Sequence, residues 1–231
     1  MIACATTQSE PQQGLYMLDY IPATAVLFQF AIASVVLAIT PGPDMALYVG
    51  RAVTHNRAAG LACFGGAVTG ILVHTMLVAL GLSALLVAAP TAFFALKIVG
   101  AAYLIWLAYQ AIRHGSSLTI KGEKRDAGSL WGHYLTGIGI NILNPKVALF
   151  FLTFLPQFVS ADDPQAPGKL VFLGLFFLLV AIPTILPMIF AADAFSQALM
   201  KRPRVTRTLD WLFAGVFGAF AVKILTAKAT T

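Results

Sequence analysis

Thr40-Pro41-Gly42-Pro43-Asp44-Met45-Ala46-Leu47-Tyr48 and Asn144-Pro145-Lys146-Val147-Ala148-Leu149-Phe150 carry one pattern twice. From Pro43 and from Pro145, 102 residues apart, each runs proline, charge, apolar residue, alanine, leucine, aromatic, and an acid in the first becomes a base in the second. Each copy lies in or at the edge of a long apolar run. A helix breaker and an ionisable group are both costly there. The combination points to transport across a membrane.

Composition agrees with a membrane setting. Of 231 residues, 59% are hydrophobic and 10% are charged, with a mean hydropathy of +0.84. A soluble domain needs no such excess of apolar side chains. Apolar runs of about 20 residues are long enough to cross a hydrocarbon core of ~30 Å as helices. Six are expected: 21–48, 61–88, 91–112, 134–158, 170–192 and 209–226. The short alternating segments of a membrane β-barrel do not appear. The fold class expected is therefore all-α, a polytopic membrane protein of six transmembrane helices.

The net charge of +6 follows the spans. Arg51 and Arg57 lie between the first and second, Arg113, Lys121, Lys124 and Arg125 between the third and fourth, and Lys201, Arg202, Arg204 and Arg207 between the fifth and sixth. By the positive-inside rule these loops are cytoplasmic and both termini lie outside. The basic residues thus set topology, and no nucleic-acid partner is expected.

Residues 1 to 16 place no basic residue ahead of an apolar run, so a secretory signal is not expected and Met17 is a candidate start. Cys4 and Cys63 are the two cysteines, which gives neither a disulfide framework nor a cysteine metal site. No phosphate-binding loop is present, so uphill transport would draw on an ion gradient or a partner protein. No cofactor, metal or enzymatic activity is expected: the spans offer no nucleophile with its base and no paired acids at helical spacing.

Three spans on each side of a basic loop force the second triplet into the bilayer from the opposite face. The expected architecture is two inverted three-helix repeats, the first helix of each broken, with a solute site where they meet. The division is a polar tail over 1–20, a first repeat over 21–112, a cytoplasmic loop over 113–133, a second repeat over 134–226 and a tail over 227–231. Gly100 and Gly215 form a fainter echo. Pro41, Gly42 and Pro43 should split the first span, and Asn144 with Pro145 the fourth, with Thr40 or Gly42 and Asn144 as caps. The outgoing half-helices present N-termini suited to a carboxylate.

Asp44 and Lys146 have two readings. Either they are structural, as an ion pair or with Asp44 simply complementing its own helix dipole, or they bracket an amphoteric solute, Asp44 facing an ammonium and Lys146 a carboxylate. Gly66 and Gly70 make a small face that His74 continues. His74 is either a packing histidine or a proton relay or substrate contact. Asn141 and Asn144, three apart before Pro145, serve interhelical hydrogen bonds or solute contact. Lys97 is read as an outer anchor, Tyr103, Trp106 and Tyr109 as interface residues, Pro183 and Pro187 as a kink in the fifth span, and Gln157 as a cap or gate.

Thr40-Pro41-Gly42-Pro43-Asp44, Gly60, Gly66-x-x-x-Gly70 with His74, Leu96-Lys97-x-x-Gly100-Ala101-Ala102-Tyr103-Leu104, and Asn141-x-x-Asn144-Pro145-Lys146-x-x-x-Phe150-Phe151 ending in Pro156-Gln157-Phe158 together resemble the lysine-exporter (LysE) family, and within it the homoserine/threonine-exporter (RhtB) branch. The likeness runs from about Met17 to the C-terminus. It implies a bacterial cytoplasmic-membrane exporter of amino acids or close derivatives, working by proton antiport. The family's two signature motifs fall on Pro41, Gly42, Pro43 and Asp44 and on Asn144, Pro145 and Lys146. Neither the solute nor self-association into a homo-oligomer is fixed by it. A passive small-solute channel and a metal-ion exporter of the same superfamily are the alternatives.

Overall fold

The computed structural model describes residues 20–88, 90–114, 128–160 and 163–226. Met17, Cys4, Lys121, Lys124 and Arg125 lie outside them, as does the side chain of Lys97. The described residues are almost wholly helical, with no strand among them.

Apolar sequence free of proline and glycine carries helix α1 over Thr24–Ile39, until Pro41 and Pro43 deny the chain two backbone donors. α2 resumes at Pro43 and ends at Thr54, turned by 53° from α1. Asn56 then accepts a hydrogen bond from Ala59 N at 2.9 Å and opens α3, Arg57–Ala88. α4 runs Pro90–His114.

Ser129, accepting from Gly132 N at 3.1 Å, caps α5, Leu130–Leu143. Asn144 separates α5 from the short α6, Pro145–Leu149, and the pair bends by 52°. The segment then loosens into a π turn at Phe150–Phe154 and a 3-10 turn at Leu155–Phe158. α7, Ala166–Phe190, continues as one helix through Pro183 and Pro187. α8, Ala192–Lys201, and α9, Pro203–Thr226, complete the described chain.

Three helical stretches, Arg57–Gly81, Ala166–Phe190 and Arg204–Val222, are each long and apolar enough to cross a membrane, and each bent pair adds one more where it is counted as a single span. Ile98–Arg113, within α4, is apolar but shorter. Leu77, Leu80, Val99 and Leu179 are exposed on the outer surface, which suits hydrocarbon rather than water. Several helix ends differ from expectation. α5 starts at Leu130 rather than near Tyr134, and α8 fills what reads in sequence as a basic loop. It is too short and too polar to read as a span, and it forms because Ala192, Ser196 and Leu199 share one buried face.

Contacts between helices set the positions of the breaks. α3 packs along α5 and α7, α4 along α9, and α1 along α7. The α3–α5 crossing is close because of glycines: a Cβ on Gly66 would meet the Tyr134 carbonyl oxygen, one on Gly137 the Cys63 carbonyl oxygen, and one on Gly70 the Asn141 side chain. This seam brings the last turn of α5, where Asn141 sits, beside the start of α2. Gly100 packs against Thr153 while Gly215 has nothing near it, so the two glycines do not share an environment.

Candidate functional site

The two breaks meet, and each sends its charged side chain across to the other. Lys146, in the first turn of α6, donates from Nζ to the carbonyl oxygens of Thr40 at 2.7 Å and Leu37 at 3.0 Å. Those oxygens end α1 and have lost their helical donors to the break. A cation there also complements the negative end of the α1 dipole. In return Asp44, in the first turn of α2, accepts a hydrogen bond at Oδ2 from Asn141 Nδ2 at 2.7 Å. Asp44 adds the further complement of its own helix N-terminus.

Asp44 and Lys146 nevertheless do not pair. Among the described residues the ion pair within 4.0 Å is Asp163 with Lys169 at 2.6 Å. Asp44 Oδ1 and Asn141 Oδ1 are both buried with no hydrogen-bond donor. A buried acceptor left without a donor costs about 1–3 kcal/mol. Two of them beside one another form a place that wants a donor. The structural ion pair is therefore not what holds these charges in this conformation.

A cavity of about 50 Å³ lies between the breaks. Of the residues singled out in sequence, Thr40, Gly42, Asp44, Asn141, Asn144 and Lys146 line it. His74 stands just behind: its Nε2 is 3.4 Å from the Asn141 carbonyl oxygen, and its ring stacks on Phe151 with centroids 5.9 Å apart. Pro41, Pro43 and Pro145 shape the backbone rather than the lining. Asn144 caps α6 by accepting from Lys146 N at 3.0 Å. Thr40 does not cap α2, since its hydroxyl turns back to Val36 O at 2.6 Å, and Gly42 occupies that position with extended backbone. Gln157 Nε2 donates to Thr153 O at 2.9 Å, which satisfies a carbonyl within its own segment.

Beyond Lys146 the outgoing segment is closed by aromatic rings. Phe150 and Phe154 stack with centroids 4.8 Å apart, Phe154 meets Phe220 at 4.7 Å, and Phe30 meets Phe158 at 5.3 Å. The π turn here puts successive phenylalanines toward α1 and α9, and such turns recur at functional sites. Tyr103 and Trp106 tilt against each other at 5.3 Å, and Trp106 and Tyr109 are exposed.

Two residues escaped the sequence reading. Tyr48, one turn beyond Asp44, is buried and lines the cavity, edge-on to Phe64 at 5.7 Å. Its spacing from Asp44 was a usable signal. Asp210 on α9 is 1% exposed, although its neighbours Arg204 and Arg207 make it look like part of a solvated helix start.

The LysE type translocator family model matches residues 35–228, both breaks included. The chain belongs to the LysE family. Among its LysE relatives is a homoserine/homoserine lactone efflux protein of Salmonella typhimurium, 27% identical over 203 residues, covering 87% of this chain and 96% of that protein. An uncharacterized membrane protein of Vibrio cholerae is 27% identical over 207 residues, covering 88% and 98%. A threonine efflux protein of Salmonella typhimurium is 23% identical over 214 residues, covering 88% and 98%. No solved structure matches the chain. This LysE chain is a membrane translocator, and the cavity between its two breaks is the candidate site.

Proposed function

We propose that this chain exports small amino acids or close derivatives, such as threonine or homoserine, across the bacterial cytoplasmic membrane in exchange for protons. The observation that carries the reading is the pairing of two donorless buried acceptors, Asp44 Oδ1 and Asn141 Oδ1, with an ammonium at Lys146 on one cavity. A solute with an ammonium and a carboxylate satisfies both sides at once. In its absence a proton on Asp44 serves the same acceptor, which is the basis of exchange. Relatives named for homoserine and threonine efflux support this class of solute.

The architecture proposed is six spans in two inverted repeats, with both termini outside. The helix pairings support it. Exchanging the first span with the fourth, the second with the fifth and the third with the sixth turns the α3–α5 contact into α7–α1 and leaves α4–α9 and α3–α7 unchanged. The cavity holds about one or two waters at ~30 Å³ each. An amino acid does not fit, so loading requires the α1–α2 and α5–α6 elbows to part. The phenylalanine cluster closes the outgoing side meanwhile.

Everted vesicles test the reading. With the lumen made acidic, they should accumulate threonine or homoserine saturably, and collapse of the pH gradient should end the accumulation. Flux that neither saturates nor answers to the gradient would indicate a passive pore and overturn the proposal.

A further inference from the structure

A second hollow lies one helical turn from the central cavity along two of its walls. Tyr48 on α2 and Ile185 on α7 line the cavity, while Ala52 and Ile189, a turn further along the same helices, line a wider cleft of about 590 Å³. One such step is about 6 Å of rise. Tyr48, Ile185 and Ile189 are buried, so packed side chains separate the two spaces. The cleft is bounded by the α2–α3 turn and the start of α8, which the topology proposed above puts at the cytoplasmic face. Its volume falls in the range of about 300–1,000 Å³ usual for small-molecule sites, so it admits an amino acid that the central cavity does not. Its polar lining divides in two. His55 is engaged, 2.9 Å from Thr54 Oγ1 and 3.4 Å from Arg51 Nη1, and Asn56 Oδ1 accepts from Ala59 N. Arg57 and Asp193 bring opposite charges to this one cleft, and no ion pair joins either to a described residue.

We propose that this cleft is a loading subsite for the solute, Arg57 taking the carboxylate and Asp193 the ammonium before the elbows part. This rests on the reading of the solute as an amino acid. The path then offers the same two opposite charges twice, first within reach of water and then inside the bilayer. A guanidinium suits the first contact because its paired donors match a carboxylate. Both side chains are exposed, so the contact is weak and the solute moves on rather than being held. Phe190 and Val53 give the cleft an apolar wall for the rest of the solute.

Thiol protection in everted vesicles reads occupancy of the cleft directly. Ala58→Cys in a Cys4→Ser background puts one reactive thiol there, since Ala58 lines the cleft and is exposed while Cys63 is buried. Threonine should slow labelling of that thiol by a membrane-impermeant maleimide. Arg57→Gln and Asp193→Asn, both changes of exposed side chains that the fold should survive, should each raise the half-protecting concentration by about three- to fivefold, the scale of a charge contact open to water. Threonine methyl ester, which lacks the carboxylate, should be indifferent to Arg57→Gln, and N-acetylthreonine, which lacks the ammonium, to Asp193→Asn. Protection should survive Lys146→Met, which disables the central cavity and leaves the cleft intact. Absent protection, protection unaltered by either charge variant, or protection that vanishes with Lys146→Met overturns the proposal. A thiol that the reagent cannot reach from this face overturns it equally. Failure of the central site reading looks different: Asp44→Asn and Lys146→Met would both transport normally while threonine still protects the cleft.

Discussion

The break at Thr40–Gly42 and the corner at Asn144 turn the chain by nearly the same angle, 53° and 52°, by different means. The first spends three residues, leaves α2 without a side-chain cap, and relies on a lysine from the other half of the chain to hold the carbonyls of α1. The second turns on one residue. Asn144 ends α5, caps α6 with its own amide, and hands over to a bed of stacked phenylalanines. One elbow is held from outside and the other holds itself. The α1–α2 elbow is therefore the one whose geometry a solute can alter, by displacing Lys146 from its two carbonyls.

That asymmetry has its largest expected signature in Lys146→Met. Each hydrogen bond from a charged donor contributes about 1.5–3 kcal/mol, so amide exchange over residues 37–45 should rise by about tenfold or more. Exchange around Asn144, where the side-chain cap remains, should change far less. Equal loosening at both elbows would erase the distinction.

The seam between α3 and α5 holds the elbows in register and comes next. Gly66→Ala drives a methyl group into the Tyr134 carbonyl and should destabilise the folded protein by about 1–3 kcal/mol in a detergent unfolding titration. Gly139, on the same helix as Tyr134 but with nothing near it, should tolerate alanine or gain up to about 1 kcal/mol from helix propensity.

The caps give a finer contrast. Asn144→Ala should cost about 1 kcal/mol. Gly42→Ala should cost little, because its backbone is extended and a Cβ would lie 3.6 Å from Lys146 Nζ, an ordinary contact. If Gly42→Ala proves the worse of the two, the first elbow depends on local backbone rather than on Lys146.

Just ahead of α7, the Asp163 carboxyl is held below its usual range by the Lys169 ammonium bonded to it. A depressed folded value means this contribution is present above the unfolded pKa of about 3.9 and fades as pH falls through the folded one. The pair is only half-buried and water reaches it, so Asp163→Asn should cost less than about 1 kcal/mol near neutral pH, and nothing once the solution is acid enough to protonate the parent. It marks the scale of a charge pair that water can reach.

Much of this was legible in the sequence because proline and charge are so unfavourable in apolar helices that their placement is informative. Pro41, Pro43 and Pro145 located the elbows, and Asp44, Asn141, Asn144 and Lys146 all reached one cavity. The choice between ion pair and open site was not legible, since it depends on Lys146 reaching Leu37 and Thr40 across more than a hundred residues. Asp210 was hidden because its helix starts among arginines, and only the packing of α9 against α4 and α1 turns it inward. α8 was hidden by the same basic residues. The local pattern at Phe150–Phe154 reads as ordinary helix, and its π turn arises from packing those rings against α1 and α9.

The central claim is that Asp44 and Lys146, one from each elbow, act together on one solute. Counterflow in proteoliposomes tests it most directly, with labelled homoserine outside and unlabelled homoserine trapped within. The account predicts that the parent protein shows a transient overshoot of label and that Asp44→Asn and Lys146→Met each abolish it. An overshoot of parental size in either variant would contradict the account.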